Sequence, residues 1–347
     1  MKKSIYVVRK EYNSQKCLVS VIVEEALVNI RGLTVEFRIP RGILRAVDNV
    51  DLDIYKGEVL GLAGESGCGK SVLAHAMLKI VDPNGYIKNG KVIFNLEGEK
   101  IDVLSLSKED LRKFRWSKAA IVFQGAMNSF NPLIRIGDHF LDTVEDHKGH
   151  VSKASVFETA SRLLKEVRLD ANQVLRMFQH EMSGGMKQRS LIALSFILSP
   201  NFIILDEPTS ALDVLTQKFI VKLLRDIHDK TGLTMLFITH DLAVLAEIAD
   251  RIAIMYLGNI VEIADTESIF YDPKHPYTEA LIKAIPSITG SLEDLKPLPG
   301  PVPDPVNPPS GCKFHPRCPK RMDICSKVKP KLVDVGGGHL VACHLYD

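Results

Sequence analysis

A glycine-rich stretch at residues 64–71 constrains this chain more than any other part of its sequence. It follows a fully apolar run at residues 59–63 and leads into an apolar-periodic segment at residues 71–80, which gives the order strand, loop and helix. Glycines allow backbone N–H groups to turn towards a phosphate, and a helix N-terminus adds positive potential. The predicted phosphate-binding loop consists of Gly64, Glu65, Ser66, Gly67, Cys68, Gly69, Lys70 and Ser71.

Two acidic residues at the end of a second apolar run complete the expected chemistry. We expect Lys70 to neutralise the β- and γ-phosphate oxygens of ATP and the Ser71 hydroxyl to complete the shell of a Mg²⁺ ion. The apolar run at residues 202–205 ends in Asp206 and Glu207. Asp206 would hold the metal, directly or through water, and Glu207 would polarise the attacking water. Two acids after a strand are common, so this prediction depends on the phosphate loop.

The remaining pattern is that of a layered α/β protein. Short β-branched runs between residues 26 and 54 predict an antiparallel β layer. Residues 124–181 show helical spacing and predict an inserted helical subdomain at about residues 125–200. Continuous apolar strands are expected at residues 59–63, 202–205, 234–238 and 252–256. Because these strands are apolar on both faces and alternate with helical patterns, they predict a largely parallel sheet.

Charge and hydropathy argue against several classes of protein. Lys and Arg total 44 against 42 acidic residues, and a formal charge of +2 gives no long-range field that would gather nucleic acid or an anionic membrane. The longest apolar stretches, such as residues 191–198, are well short of the ~20 residues that a membrane span needs. Charges at residues 9–11 interrupt any signal-peptide core. We expect this chain to reach a membrane only through a partner.

Residues 181–189, Glu-Met-Ser-Gly-Gly-Met-Lys-Gln-Arg, resemble the signature sequence of ABC-type ATPases. With the phosphate loop and the two acids, residues 26–270 are identified as a member of that superfamily. The resemblance implies a RecA-like core with an antiparallel β layer and a helical subdomain, and it implies hydrolysis of ATP with Mg²⁺. Met186, in place of the commoner glutamine, is typical of the dipeptide and oligopeptide importer branch.

The resemblance also assigns residues outside the phosphate loop. Gln124 matches the glutamine that senses Mg²⁺ and couples to the transmembrane partner, residues 210–213 match the D-loop, and His240 matches the switch histidine that touches the γ-phosphate. In the family, the groups matched by Ser183, Gly184 and Gly185 close over a γ-phosphate bound by the opposing subunit. Catalysis would then require a head-to-tail dimer with two sandwiched ATP molecules. For the aromatic residue that stacks on adenine the candidate is Phe37, with a core phenylalanine as the alternative interpretation.

Four cysteines lie in the last tenth of the chain, after a proline-rich stretch at residues 297–309: Cys312, Cys318, Cys325 and Cys343. Their chemistry alone leaves a metal site, disulfides or reduced thiols open. The segment Cys-x-Phe-x-x-Arg-Cys resembles the C-terminal extension of oligopeptide and dipeptide importer ATPases, members of which bind a four-iron four-sulfur (4Fe-4S) cluster. The resemblance implies such a cluster on these four cysteines, with zinc as the runner-up. Because the proline-rich stretch separates it from the phosphate site, we expect a structural or regulatory role.

The main hypothesis is the ATPase subunit of an importer for peptides or oligosaccharides, at the cytoplasmic face of the cell membrane. The resemblance implies a second ATPase subunit of related but non-identical sequence, with a homodimer as the alternative, two transmembrane permease subunits and an external solute-binding protein, with no nucleic acid. Two alternatives are a soluble ABC ATPase that acts on nucleic acid or ribosomes and an Fe–S redox or iron sensor. The cargo is not readable, and nickel is a further candidate. The expected domains are an N-terminal extension at 1–25, the ATPase at 26–270 and a cysteine module at 271–347.

Overall fold

The computed structural model describes residues 5–12, 15–22, 26–125, 129–210, 212–285 and 300–347 of the chain, the first two as strands only. Several sequence predictions fall partly outside these residues: positions 1–4, 13–14 and 23–25 of the N-terminal extension, 126–128 of the helical subdomain, Ala211 of the D-loop segment, and 286–299 of the C-terminal module, which include 297–299 of the proline-rich stretch. From residue 300 to residue 309 the proline-rich chain has neither helix nor strand, as its composition predicts.

The described residues contain the following strands: β1 (Ile5–Tyr12), β2 (Gln15–Ile22), β3 (Ala26–Ile39), β4 (Gly42–Tyr55), β5 (Val59–Ala63), β6 (Gly85–Leu96), β7 (Glu99–Asp102), β8 (Ala119–Val122), β9 (Phe202–Asp206), β10 (Thr234–Ile238), β11 (Arg251–Tyr256), β12 (Asn259–Asp265), β13 (Val333–Asp334) and β14 (Leu340–Val341). They form an antiparallel pair β1-β2, an antiparallel sheet in the order β4-β3-β6-β7, and a large sheet in the order β13-β14-β12-β11-β5-β10-β9-β8. In the large sheet, β11, β5, β10, β9 and β8 run parallel, and the strands beyond β11 pair antiparallel.

The helices in the described part of the chain are α1 (Lys70–Met77), α2 (Lys108–Phe114), α3 (Ile136–Lys148), α4 (Lys153–Glu166), α5 (Ala171–Val174), α6 (Gly184–Ser195), α7 (Val214–Thr231), α8 (Leu242–Ile248), α9 (Thr266–Tyr271) and α10 (Pro276–Lys283). Helices α3 to α6 follow one another between β8 and β9, where the sequence predicts a helical subdomain. None of the helices in these ranges has the length and apolar character to cross a bilayer.

The large sheet separates two hydrophobic cores. Along β9 the side chains alternate between its faces: Phe202 and Ile204 pack with the β layer, whereas Ile203 and Leu205 pack with helices α3 to α8. A strand that is buried on both faces must be apolar at every position. This is why residues 202–205 form an unbroken apolar run in the sequence. Burial on both faces also holds the strand in place, so polar side chains at its end have fixed positions.

The C-terminal residues belong to the same sheet. Strand β14 pairs with β12 at Glu262↔Val341 and Ile263↔Leu340, and β13 pairs with β14. The Glu262 carboxylate is fully buried and accepts hydrogen bonds from the backbone N–H groups of Lys274 and His275 and contacts His339 Nε2 at 2.7 Å. The expectation that the proline-rich stretch holds the cysteine residues away from the ATPase body is therefore wrong, because the chain folds back after it.

Candidate nucleotide-binding site

The polar side chains predicted from the sequence lie at one edge of the large sheet. Strands β5, β10, β9 and β8 are neighbours and run parallel, so their carboxyl ends meet. The phosphate loop follows β5, His240 follows β10, Glu207 follows β9 and Gln124 follows β8. Ligands of open α/β sheets bind beyond the carboxyl ends of the strands, which makes this edge the candidate site.

The phosphate loop needs glycine at two positions where other side chains would collide with backbone. Gly64 has φ 150° and Gly69 has φ 108°, and a Cβ at either position would overlap a carbonyl oxygen, that of Met255 or of Ala46 respectively. Helix α1 begins at Lys70, directly after Gly69. The loop is therefore pressed against β11 and β4, which leaves its conformation little freedom.

Lys70 is buried and its ammonium group lies inside the loop. Lys70 Nζ donates to the carbonyl oxygens of Gly64 at 2.8 Å and Glu65 at 3.1 Å, and it lies 3.7 Å from Cys68 Sγ. Burial raises the pKa of the Cys68 thiol, so this cysteine is a neutral packing residue of the loop. The ammonium group occupies the position from which it can transfer its hydrogen bonds to phosphate oxygens.

Asp206 brings together two residues of α1. Its carboxylate is fully buried, and Oδ1 accepts from Ser71 Oγ at 3.0 Å while Oδ2 lies 3.0 Å from His75 Nε2. A hydroxyl and a carboxylate are the hard oxygen ligands that Mg²⁺ takes in nucleotide sites, so the donor set at Ser71 and Asp206 fits this ion. His75 was missed by the sequence prediction, although its spacing of four residues from Ser71 places both on one helix face.

Glu207 lies between the two residues that the resemblance singled out. Its Oε2 accepts from Gln124 Nε2 at 2.9 Å, and its Oε1 lies 3.2 Å from His240 Nδ1. Glu207 has φ 47°, an uncommon backbone conformation for this residue type. Its N–H donates to the carbonyl oxygen of Ile238 and its own carbonyl accepts from the Ser210 hydroxyl. These bonds hold the turn after β9, and the carboxylate faces Gln124 and His240 at the strand ends.

The signature residues lie on a different part of the chain. Ser183 is the N-terminal cap of α6 and accepts from the Met186 N–H through its hydroxyl. Ser183 is exposed, and Gly184 and Gly185 are half-buried. Over the ranges that the structure describes, no hydrogen bond or ion pair links these three residues to the phosphate loop. One chain presents them outward at the start of a twelve-residue helix.

Phe37 packs into the β layer. It is half-buried on β3 and packs with the core on the β-layer side of the large sheet. Its ring lies so close to Gly85 that a side chain at that position would overlap it. This contact matches the alternative interpretation of Phe37 as a core residue, and its stacking on adenine stays a prediction.

Two further residues reach the phosphate loop from the C-terminal part of the chain. The Glu65 N–H donates to Tyr277 Oη at 2.9 Å, and the Glu65 carboxylate accepts two hydrogen bonds from Arg317. The contact between Arg317 and Glu65 could not be predicted from the sequence, because the two residues are 252 positions apart. Only the position of Arg317 inside the cysteine motif marked it at all.

The four predicted cysteine ligands line one small pocket. Cys312, Cys318, Cys325 and Cys343 surround it together with the buried Phe314. All four are free thiols, and burial raises the pKa of Cys312 to about 11. Over residues 26–125, 129–210, 212–285 and 300–347, no group of three or more histidine, cysteine or acidic side chains is arranged so that it could hold a metal ion. The four thiols therefore share a pocket but form no metal-binding group in the described part of the chain.

Known proteins resemble the chain over most of its length. The ABC transporter family matches residues 47–210, and the oligopeptide/dipeptide transporter C-terminal region matches residues 261–325. The dipeptide transport ATP-binding protein DppD of Caldanaerobacter subterraneus subsp. tengcongensis is 45% identical over 92% of this chain and 97% of its own. The oligopeptide transport ATP-binding protein OppD of Escherichia coli is 38% identical over 92% and 93%.

A solved structure shares the fold of the ATPase part. It is a dimeric ATP-binding cassette in a post-hydrolysis state with ADP and Pi, 27% identical in sequence, with a TM-score of 0.60 over 69% of this chain and 98% of its own. The two family matches and the relatives, which align over nine-tenths of the chain, indicate the same family as the geometry at the strand ends. The chain belongs to the ABC transporter family, among the ATP-binding proteins that carry the oligopeptide/dipeptide transporter C-terminal region.

Proposed function

We propose that this chain is the ATP-hydrolysing subunit of a peptide importer. The observation that carries the proposal is the arrangement at the strand ends, where Glu207 contacts both Gln124 and His240 beside the phosphate loop. A carboxylate held by an amide and an imidazole can orient and deprotonate a water molecule. The names of the relatives, dipeptide and oligopeptide transport ATP-binding proteins, support peptides as the cargo.

Each residue of the site has a distinct part in the proposed hydrolysis. Lys70 would exchange its contacts with the Gly64 and Glu65 carbonyls for the β- and γ-phosphate oxygens of ATP. Ser71 and Asp206 would hold Mg²⁺, which supplies neutralisation of the phosphate charge. Glu207 would take a proton from the attacking water, and His240 would contact the γ-phosphate.

The exposed signature supports a site completed by a second chain. Ser183, Gly184 and Gly185 lie at the N-terminus of α6, where backbone N–H groups and the helix dipole favour a phosphate. Their separation from the phosphate loop of the same chain means that they are free to serve another nucleotide. We infer a head-to-tail pair of ATPase subunits, with two permease subunits and an external solute-binding protein completing the importer at the cytoplasmic face of the membrane.

The cargo is tested with the full-length chain assembled with its permease and ATPase partners in vesicles. We expect a di- or oligopeptide, presented by the solute-binding protein, to enter the vesicles in an ATP-dependent way. Lys70→Ala should abolish uptake by weakening nucleotide binding, whereas the assembly should still form. Transport of oligosaccharides or nickel, with no transport of peptides, would overturn the peptide assignment and leave the ATPase assignment in place.

We also propose that Cys312, Cys318, Cys325 and Cys343 bind a 4Fe-4S cluster. The proposal is supported by the cysteine motif, which lies in the part of the chain that matches the oligopeptide/dipeptide transporter C-terminal region, and by the one pocket that all four cysteines line. Zinc would draw four sulfurs to about 2.3 Å from one centre. Anaerobically purified protein should contain about four iron atoms per chain and absorb visible light, and Cys318→Ser should lower the iron content. Colourless protein with one zinc per chain would contradict the cluster.

A further inference from the structure

Glu65 is the second residue of the phosphate loop, and three side chains fix it at once. Its carbonyl oxygen accepts from Lys70 Nζ, its N–H donates to Tyr277 Oη, and its carboxylate faces Arg317. Lys70 belongs to the loop itself, whereas Tyr277 and Arg317 come from the C-terminal part of the chain. A single residue thus connects the phosphate-binding lysine to the C-terminal region.

The contact with Arg317 has the geometry of a strong, specific ion pair. Arg317 Nη1 lies 2.7 Å from Glu65 Oε2, and Nη2 lies 3.1 Å from Oε1. Arg317 is 6% exposed and lies near the rings of Tyr256 and Phe314. Two parallel hydrogen bonds fix the direction of the carboxylate as well as its distance, which one lysine ammonium could not do.

The aromatic packing ties Arg317 to the cassette. Tyr256 of β11, Tyr277 of α10 and Phe314 contact one another with ring centroids 4.6 to 5.3 Å apart. Arg317 ends the single helical turn of residues 315–317, which lies between Cys312 and Cys318. Residues 312–318 are called the cysteine loop. The position of this loop on the ATPase part of the chain therefore determines where the Arg317 guanidinium meets Glu65.

The charges of Glu65 and Arg317 affect the binding of ATP. The phosphate loop receives a multiply charged triphosphate, and the side chain of Glu65 is 22% exposed at that loop. A carboxylate without its guanidinium partner would repel the phosphates and would also lose the contact that holds the backbone at residue 65. Arg317 cancels this charge from outside the loop.

We propose that Arg317 is a positioning residue of the ATP site, which acts through Glu65 and makes ATP affinity depend on docking of the cysteine loop. The proposal rests on the proposed ATP-binding function. Arg317 itself touches no reacting atom, so its loss should weaken binding of ATP and should not remove the chemistry of hydrolysis. The C-terminal region then serves as a regulatory element of the phosphate loop.

The test is equilibrium binding of ATP with Mg²⁺ to the full-length chain. We expect Arg317→Gln to weaken binding by about tenfold or more, since a partly buried carboxylate loses its partner. The decisive variant is the double substitution Glu65→Gln with Arg317→Gln, which removes the unpaired charge. It should bind ATP more tightly than Arg317→Gln alone, and Arg317→Lys, which keeps the charge but not the double hydrogen bond, should fall between wild type and Arg317→Gln.

Lys329→Gln is the matched control. Lys329 pairs with Asp48 and so links the same region to β4 through an ion pair that does not include Glu65. It should leave ATP binding unchanged. Because Glu65→Gln would also relieve an unpaired carboxylate that only destabilised the fold, the free energy of unfolding of each variant is measured in urea titrations, and a purely structural role would leave ATP binding by the fully folded variants unchanged.

Three results would overturn the proposal. They are wild-type binding by Arg317→Gln, a double variant whose defect is the product of the two single defects, and equal weakening by Lys329→Gln. If Arg317→Gln does not fold, Arg317→Lys replaces it, because it keeps the charge and removes only the double hydrogen bond to Glu65. It should weaken binding about threefold or more, and unchanged binding would refute the proposal. A wild-type chain that binds ATP no better than Lys70→Ala would instead refute the ATPase function itself.

Discussion

Glu207→Gln gives the sharpest separation between nucleotide binding and hydrolysis. Glutamine has nearly the volume of glutamate and can keep both neighbours: its Oε1 can accept from Gln124, and its Nε2 can donate to His240 Nδ1. We therefore expect the free energy of unfolding to change by less than about 1 kcal/mol. ATP binding should stay within about threefold of wild type, because Lys70 and Ser71 are untouched.

The loss should fall on the chemical step. A positioned general base contributes about 10²- to 10⁴-fold, and an amide cannot take a proton from water. At about 1.4 kcal/mol per factor of ten, the barrier should rise by roughly 3 to 5 kcal/mol. Because ATP stays bound and unhydrolysed, the variant should also accumulate as a dimer with its ATPase partner.

The assay compares single-turnover phosphate release by the assembled importer with binding of ATP to the same preparation. Glu247→Gln is the matched control, since Glu247 is exposed on the neighbouring helix α8, and it should hydrolyse ATP as wild type does. Phosphate release by Glu207→Gln within about threefold of wild type would refute the general-base role. Weakened ATP binding would refute the claim that the substitution leaves the phosphate site intact.

Three further predictions concern other parts of the site and the fold. Ser183→Ala should leave ATP binding by the single chain unchanged and lower hydrolysis by the assembled dimer about 100-fold, measured as phosphate release, because in the proposed head-to-tail pair the hydroxyl would serve the partner's nucleotide. Gly69→Ala should abolish ATP binding in the same equilibrium assay, because its Cβ would overlap the Ala46 carbonyl oxygen. Asp48→Asn should lower the free energy of unfolding by about 3 kcal/mol in urea titrations at pH 7, since the largely buried Lys313 ammonium loses its carboxylate. Burial by itself raises the pKa of Asp48, but the ammonium groups of Lys313 and Lys329 lower it well below the ordinary value. The Asp48 contribution is therefore present above about pH 4 and disappears as the pH falls through the lower pKa of the folded state, so wild type and Asp48→Asn should converge in strong acid.

The sequence predicted the parallel strands β5, β9, β10 and β11 of the large sheet well because their burial on both faces leaves a simple pattern, whereas it did not predict β12, β13 and β14. Residues 59–63 and 234–238 form β5 and β10 with the expected bounds. The β layer was harder to predict. Strands β3 and β4 each extend over fourteen residues, since pairing with a neighbouring strand carries polar residues into the sheet that no local pattern marks as extended.

The site residues that follow strands could be predicted from the sequence. Residues that reach the site only through tertiary contacts between distant parts of the chain could not. Asp206 and Glu207 were readable because a buried run ends at them, and Gln124 and His240 needed the family resemblance. Arg317 could not be predicted, because its partner lies in a loop formed 252 positions earlier and contact at that separation depends on tertiary packing. The proline-rich stretch suggested distance between these regions, but an extended linker fixes only the contour length and leaves the chain free to return.

Strand β14 also protects the sheet that it joins. A strand at a sheet edge exposes a row of unpaired N–H and C=O groups, which can pair with another molecule and begin aggregation. In this chain β14 pairs with Glu262 and Ile263 in the middle of β12, and His339 contacts the buried carboxylate of Glu262. A chain cut before residue 300 would expose both the open edge and a carboxylate deprived of its imidazole contact. An ATPase fragment designed from the phosphate-loop and signature motifs alone would then be prone to self-association, even with every residue of its nucleotide site in place.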